Sequence, residues 1–142
     1  LPEVMNYAKV SAKGSMLNTP PVFPIYMVGL VAKHLLKLGG LEVMEKTNQR
    51  KASHLYTLFA DSHGFYKGHA RHDSRSNMNV TFRLPNENLE KNFIEEASKT
   101  QLLGLKGHRS VGGLRASIYN AVPEESVNAL VEFMINFQEN NA

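Results

Sequence analysis

Residues 106–117, KGHRSVGGLRAS, combine one histidine, two arginines and three glycines and contain no acidic residue. Arg109 and Arg115 carry planar guanidinium groups, which donate two parallel hydrogen bonds to a carboxylate or a phosphate. His108 adds a third donor, and the adjacent glycines allow a sharp turn and a close approach of the backbone to a ligand. This pattern predicts a site for a ligand with two anionic ends. The alternative is a hairpin turn whose arginines face water.

A second candidate site lies at residues 18–21, NTPP. The prolines favour the first turn of a helix, and Asn18 or Thr19 could serve as its cap. Free backbone N–H groups at a helix start, next to polar side chains, bind phosphate readily. An ordinary capped helix is the alternative interpretation of this segment.

The loop at residues 61–76 contains His63, His69 and His72. Their spacings of six and three residues match neither a helical pair of ligands nor a zinc finger. We therefore predict an exposed loop and no metal site. The three basic residues of the same loop are a weak indication of nucleic-acid binding.

Composition narrows the possible classes of function. The net charge is only +3, from 16 basic and 13 acidic residues, so no nucleic-acid partner is predicted. The chain has no cysteine, which excludes disulfides, zinc–thiolate sites and cysteine nucleophiles. No apolar run approaches the roughly 18 residues of a membrane span, so no membrane partner is predicted. No hydrolase, dinucleotide or P-loop motif is present, so a self-contained hydrolase is hard to build from this chain.

The hydrophobic pattern predicts an α+β fold with a small sheet and helices on one of its faces, preceded by two helices. Alternation over NMNVTFRL indicates a half-buried strand, whereas spacings of three and four residues indicate helices. The predicted helices start near residues 19, 41, 85 and 123, and the predicted strands lie within 4–10, 77–84, 102–106 and 115–119.

Three stretches together resemble one known family: SMLNTPPVFPIYMVGLV at 15–31, SNMNVTFRL at 76–84 and LKGHRSVGGLRASIYNAV at 105–122. They are similar to the phosphoserine aminotransferases, which are pyridoxal-phosphate-dependent class V aminotransferases with the fold of aspartate aminotransferase (fold type I). The resemblance covers only the C-terminal part of that enzyme. It implies that residues 1–47 end the large cofactor domain and that 48–142 form the small domain with its linking helix.

The resemblance also implies roles for individual residues. Arg115 would hold the substrate α-carboxylate, and His108 with Arg109 would receive the distal phosphate or carboxylate. Asn18 and Thr19 would bind the cofactor phosphate across a homodimer. The lysine that forms the Schiff base in this family would lie upstream, so we expect a C-terminal fragment without a catalytic residue, which is inactive and binds no pyridoxal phosphate by itself.

The implied activity of the intact enzyme is transfer of an amino group from glutamate to 3-phosphohydroxypyruvate, which gives phosphoserine and 2-oxoglutarate. This reaction would belong to serine biosynthesis in the cytoplasm. Two alternatives stay open from the sequence. One is a non-catalytic module for anion binding or dimerisation, and the other is a related aminotransferase that acts on a different acidic substrate.

Overall fold

The computed structural model describes residues 2–142, which contain five α-helices and three β-strands. The chain divides into an N-terminal unit that ends at Leu41 and a C-terminal unit, Glu42–Ala142. The elements are α1 (Tyr7–Ala12), α2 (Val22–Lys37), α3 (Gly40–Asp61), β1 (Lys67–Gly68), β2 (Asn79–Arg83), α4 (Glu87–Lys99), β3 (Leu114–Ser117) and α5 (Glu124–Asn141).

The sheet of the C-terminal unit is antiparallel, with strand order β1-β2-β3. Val80 and Phe82 of β2 are buried, whereas the alternate residues Asn79, Thr81 and Arg83 are only half-buried. Because successive side chains of a strand point to opposite faces, one face of the sheet belongs to the core and the other is more open. The strand predicted from alternation at 77–84 is therefore confirmed.

Aromatic side chains join the sheet to three helices. The ring centroid of Phe82 lies 5.2 Å from that of Phe59 in α3 and 6.0 Å from that of Phe93 in α4. Phe93 in turn lies 5.0 Å from Phe137 in α5. Tilted and edge-to-face aromatic pairs at these distances add to the hydrophobic free energy of burial. The prediction of an α+β unit with helices on one face of a small sheet is confirmed.

Local capping explains where α4 begins. The side chain of Asn86 accepts a hydrogen bond from the Leu89 amide at 3.0 Å, and two glutamates occupy the first turn. An N-cap acceptor satisfies a backbone donor that has no partner within the helix, and acidic side chains near the N-terminus interact favourably with the helix dipole.

The N-terminal unit differs from its prediction in two places. The strand predicted within residues 4–10 is wrong, because the Asn6 side chain accepts from the amides of Ala8 and Lys9, at 3.1 and 3.3 Å, and so starts the short helix α1. The predicted cap of α2 by Asn18 or Thr19 is also wrong. Pro21 occupies the cap position and no side chain caps the helix.

Two further differences lie in the C-terminal unit. The strand predicted at 102–106 is wrong, since within this segment only Lys106 pairs, in an isolated bridge to Leu114. The segment 61–76, predicted as a loop, contains β1 and one turn of 3-10 helix at His72–Ser74.

In residues 2–142 no single helix combines the length and the apolar composition that crossing a membrane requires. Helices α2 and α3 reach that threshold only when they are taken together as a bent pair. The assignment of 1–47 and 48–142 to the large and small domains of an aminotransferase stays a prediction.

Candidate anion-binding site

The glycine-rich segment forms a closed loop between Lys106 and β3. The Gly107 amide donates to the Gly113 carbonyl at 2.8 Å, and the Gly112 amide donates to the His108 carbonyl at 2.7 Å. At the base of the loop, the Arg115 amide donates to the Leu105 carbonyl at 2.8 Å. These backbone hydrogen bonds fix the two ends of the loop next to the edge of the sheet.

The glycines of this loop are required by its geometry. Gly112 and Gly113 have φ angles of +74° and +69°, in the left-handed region that side chains disfavour. A Cβ atom on Gly107 would collide with the Gly112 carbonyl oxygen. The loop can therefore close in this form only with glycine at these positions.

A cavity of about 230 Å³ lies beside the loop. It is lined in part by Thr81 of β2 and Arg115 of β3, which are directly paired across the strands. Its lining includes four arginine or histidine side chains beside polar Asn79 and Thr81, and no aspartate or glutamate of the described chain lines it. A cavity with this lining favours an anionic ligand over a cationic one.

Arg115 provides the fixed cation of the cavity. The side chain is half-buried, and its Nε atom is buried without a hydrogen-bond partner among the described residues. Among the described residues Arg115 forms no ion pair, whereas Arg50, Arg71 and Arg83 each pair with a carboxylate. A guanidinium group held on a strand without a carboxylate partner is suited to bind a carboxylate in two-point geometry.

His108 is oriented within the loop by Ser110. The Ser110 amide donates to His108 Nδ1 at 3.3 Å, and the Ser110 hydroxyl lies 2.7 Å from the same nitrogen. Because a backbone N–H can only donate, Nδ1 is an acceptor here, and Nε2 of the neutral ring carries the proton. His108 can therefore donate a hydrogen bond from Nε2 to an anion.

The structure separates Arg109 from the other two predicted site residues. Arg109 is exposed and lines a neighbouring groove of about 700 Å³ rather than the cavity. His108 lines both spaces, whereas Arg115 lines only the cavity among the spaces described. Of the three predicted residues, Arg115 thus lines the cavity, Arg109 lines the groove and His108 lines both.

His69 is exposed, as the sequence predicts, but it also lines the cavity, which sequence reasoning missed. Its amide donates to the Thr81 carbonyl at 3.1 Å, so the pairing of β1 with β2 continues to His69. Thr81 pairs with Arg115 on its other side, and the three residues form a row across the sheet. In the described residues, no three of the histidine, aspartate or glutamate side chains are grouped closely enough to hold a metal ion.

Asn18 and Thr19 lie in the N-terminal unit. Both residues are exposed and line a groove of about 530 Å³ that precedes α2. Neither side chain caps α2, so their donors are not used by that helix. An amide and a hydroxyl with uncommitted donors near a helix start match the chemistry of a phosphate group.

Lys51 is the most buried lysine, but its contacts are structural. The side chain is 1% exposed, and its ammonium group donates to the carbonyls of Ile118, Tyr119 and Val122. Burial lowers the pKa of Lys51, while the carboxylate of Glu124 acts in the opposite direction. All three donors of this lysine are used, so it anchors the chain after β3.

Comparison with known proteins shows the family of the chain. The sequence profile of the family described as "Aminotransferase class-V" matches residues 2–130. A phosphoserine aminotransferase from Desulfatibacillum aliphaticivorans is 56% identical over 142 residues, which are 99% of this chain and 39% of that protein. The phosphoserine aminotransferase of Bacillus subtilis is 50% identical over 141 residues, again 99% of this chain and 39% of the relative.

Solved structures give the same result. Phosphoserine aminotransferase from Bacillus circulans subsp. alkalophilus has a TM-score of 0.93 and 51% identity, and the match covers 100% of this chain and 39% of the other. The pyridoxal-phosphate-bound phosphoserine aminotransferase from Trichomonas vaginalis has a TM-score of 0.84 and 37% identity, with 95% and 39% covered. The chain spans about 39% of the length of these relatives. With a profile match over residues 2–130, the chain belongs to the class-V aminotransferase family.

Proposed function

We propose that this chain is the C-terminal part of a pyridoxal-phosphate-dependent phosphoserine aminotransferase. The reaction transfers the amino group of glutamate to 3-phosphohydroxypyruvate and yields phosphoserine and 2-oxoglutarate. The observation that carries the proposal is the cavity in which Arg115 and His108 meet without any carboxylate of the described chain in the lining. It is supported by relatives of that name at 50–56% identity over nearly the whole chain.

In this proposal Arg115, His108 and Arg109 each bind one end of the substrate. Arg115 binds the α-carboxylate that all four substrates and products share, since its half-buried side chain lies on β3 with a buried Nε donor that no described residue uses. His108 and Arg109 bind the distal group, which is a phosphate in one half of the reaction and a carboxylate in the other. A flexible exposed arginine beside a histidine donor can accommodate both anions better than a rigid two-point clamp.

Asn18 and Thr19 would hold the phosphate of the cofactor, because their donors are not used by the helix that follows. Pyridoxal phosphate, when bound, supplies the electron sink that amino transfer requires. The lysine that carries it would come from the upstream part of the protein. The chain's own residues then orient the substrate by its two anionic ends and place its amino group at the cofactor.

The proposal includes a homodimer in which Asn18 and Thr19 act in the partner's site, with residues 1–47 as the end of the large domain and 48–142 as the small domain. Its support is the apolar surface of α2. Phe23 is 71% exposed and Val28 69% exposed, and apolar side chains point outward along the whole helix. A contiguous apolar surface of this kind marks a protein interface. Light scattering on the longest natural polypeptide tests this arrangement, and a strictly monomeric protein contradicts it.

The activity is tested on the longest natural polypeptide that contains this chain, with phosphoserine and 2-oxoglutarate as substrates. We expect glutamate formation that depends on added pyridoxal phosphate and is abolished by Arg115→Ala. Arg71→Ala is the matched control, because Arg71 is exposed and forms only a surface ion pair with Asp73. Cofactor binding without turnover would favour another acidic substrate, and phosphoserine binding without cofactor binding would favour a non-catalytic module.

A further inference from the structure

We propose that Arg83 and Glu90 are a positioning pair that holds the loop of residues 107–113 and thereby sets its affinity for the distal anion. This inference rests on the proposed function for its kinetic part. Neither residue was singled out by the sequence pattern, because Arg83 ends β2 and Glu90 lies in the first turn of α4.

Arg83 bridges the helix and the loop with the two ends of its guanidinium group. Nη1 donates to both carboxylate oxygens of Glu90, at 3.3 and 3.2 Å. Nη2 donates to the carbonyl oxygen of Val111 at 2.8 Å. In residues 2–142, Arg83 is the only side chain outside the loop with a hydrogen bond to the loop backbone.

Glu90 is fixed more firmly than a surface carboxylate. The residue is 7% exposed, and its carboxylate also lies 3.4 Å from the Leu84 amide, which donates to it. Burial of an ionised group is costly unless the group is paired and hydrogen-bonded. The guanidinium group of Arg83 supplies that pairing, so removal of either partner leaves the other without compensation.

The glycines of the loop pack directly against Arg83. A Cβ atom on Gly112 would lie 3.3 Å from both terminal nitrogens of Arg83. A Cβ atom on Gly113 would lie 2.8 Å from Arg83 Cδ. The loop therefore lies close against this side chain, and a shorter or displaced side chain at position 83 would let it move.

The ion pair also explains why Arg83 acts as a support and not as a further ligand. Arg83 lines both the cavity and the groove, but its charge is compensated by Glu90. His108 and Arg109 have no carboxylate partner among the described residues and stay available for an anion. The pair thus contributes position, whereas the loop contributes the ligands. Misplacement of binding groups by about 1 Å can cost a factor of about 100 in rate.

The test uses the longest natural polypeptide with its cofactor, as wild type and as Arg83→Met, Arg83→Lys and Glu90→Gln. Hydrogen exchange followed by mass spectrometry reports the mobility of residues 105–115, and calorimetric titration reports the affinity for inorganic phosphate. Both measurements are independent of turnover. Arg71→Met is the control, since this arginine forms a surface ion pair remote in sequence from the loop.

In Arg83→Met and Glu90→Gln we expect faster exchange in the loop and unchanged exchange in α5. Phosphate affinity should fall, and the KM for phosphoserine should rise, by about tenfold or more, with kcat changed less than KM. Arg83→Lys should recover part of the effect because it keeps the charge next to Glu90. A merely structural role would instead lower the amount of folded enzyme without changing KM.

Unchanged loop exchange in Arg83→Met and Glu90→Gln would overturn the proposal, and so would a mobile loop with unchanged phosphate affinity. If the wild type transfers no amino group from phosphoserine, the proposed function fails, but exchange and phosphate binding still decide the role of the pair. If the wild type binds no phosphate and the variants have the same KM for phosphoserine as the wild type, the loop is not an anion site. The positioning role is then refuted.

Discussion

Lys51 Nζ lies 3.0 Å from the carbonyl oxygen of Ile118, so a buried ammonium group of α3 holds the residue that directly follows β3. It also donates to the carbonyls of Tyr119 and Val122, at 2.9 and 3.0 Å. Lys51→Met keeps most of the side-chain volume but removes all three donors. We expect the free energy of unfolding to fall by about 2–3 kcal/mol, the cost of lost hydrogen bonds to a charged group.

Urea unfolding of the chain, followed by circular dichroism, measures this effect, because the C-terminal unit has its own hydrophobic core. Lys46→Met is the matched control, since Lys46 lies on the same helix and is exposed. Equal stability of Lys51→Met and wild type would show that solvent or backbone groups satisfy these carbonyls without the lysine.

Substitutions of Arg115 and Arg109 should differ in their selectivity between substrates. Arg115→Ala should raise the KM for both phosphoserine and glutamate by about tenfold or more, because both carry the α-carboxylate. Arg109→Ala should also raise both values, but the KM for phosphoserine by a larger factor, since a phosphate monoester carries a charge of about −1.5 to −2. Steady-state kinetics in both directions measures these values, and an unchanged phosphoserine KM in Arg109→Ala contradicts the assignment.

Gly107→Ala should disturb the loop through steric overlap alone, since its Cβ atom would collide with the Gly112 carbonyl. We expect a loss of about 1–3 kcal/mol in the free energy of unfolding, as for other overpacked sites, together with weaker phosphate binding. Gly104→Ala is the control. Gly104 has a φ angle of +77°, and a Cβ atom added there would have no neighbour within 4 Å. The Gly104→Ala variant should therefore lose stability without losing phosphate affinity. Equal phosphate affinities of Gly107→Ala and wild type would show that the closed loop is not required.

The predictable parts of the fold are the elements in which the spacing of apolar residues along the sequence marks the buried face. Alternation along β2 and the spacing of apolar residues in α3 both appear in the sequence. The structure buries Val80 and Phe82 of β2 and Ala52, Leu55 and Phe59 of α3. The two-residue strand β1 is too short to show alternation, and its pairing with β2 is not local. At residues 4–10 the apolar content indicated a strand, but the Asn6 cap selects a helix.

The candidate site was predictable only in part, for a similar reason. His108 and Arg115 stand out by type and spacing, and both line the cavity. His69 reaches that cavity because its segment pairs with Thr81, which sequence spacing does not reveal. Arg83 looked like an ordinary polar position on the open face of a strand, and its function as a support depends on Glu90 and the loop meeting it in space.

Tyr66 gives a prediction for the dependence of stability on pH. Its hydroxyl donates to the Met134 carbonyl at 2.7 Å, the residue is 1% exposed, and burial raises the pKa of Tyr66 above its ordinary value. Above pH 10, roughly the ordinary pKa of tyrosine, the unfolded chain loses this proton while the folded chain keeps it. The folded state then binds more protons, so the stability contributed by Tyr66 is present below that pH and declines as the pH rises.

Tyr66→Phe should therefore be less stable than wild type by about 1 kcal/mol at neutral pH, because one hydrogen bond is lost. That difference should shrink between about pH 9 and about pH 11, since only the wild type loses stability through ionisation at this position. Urea unfolding across this range measures it, with Tyr7→Phe as the control because Tyr7 is 90% exposed. A difference that stays constant over the range would mean that the hydroxyl of Tyr66 ionises in the folded state as readily as in the unfolded chain.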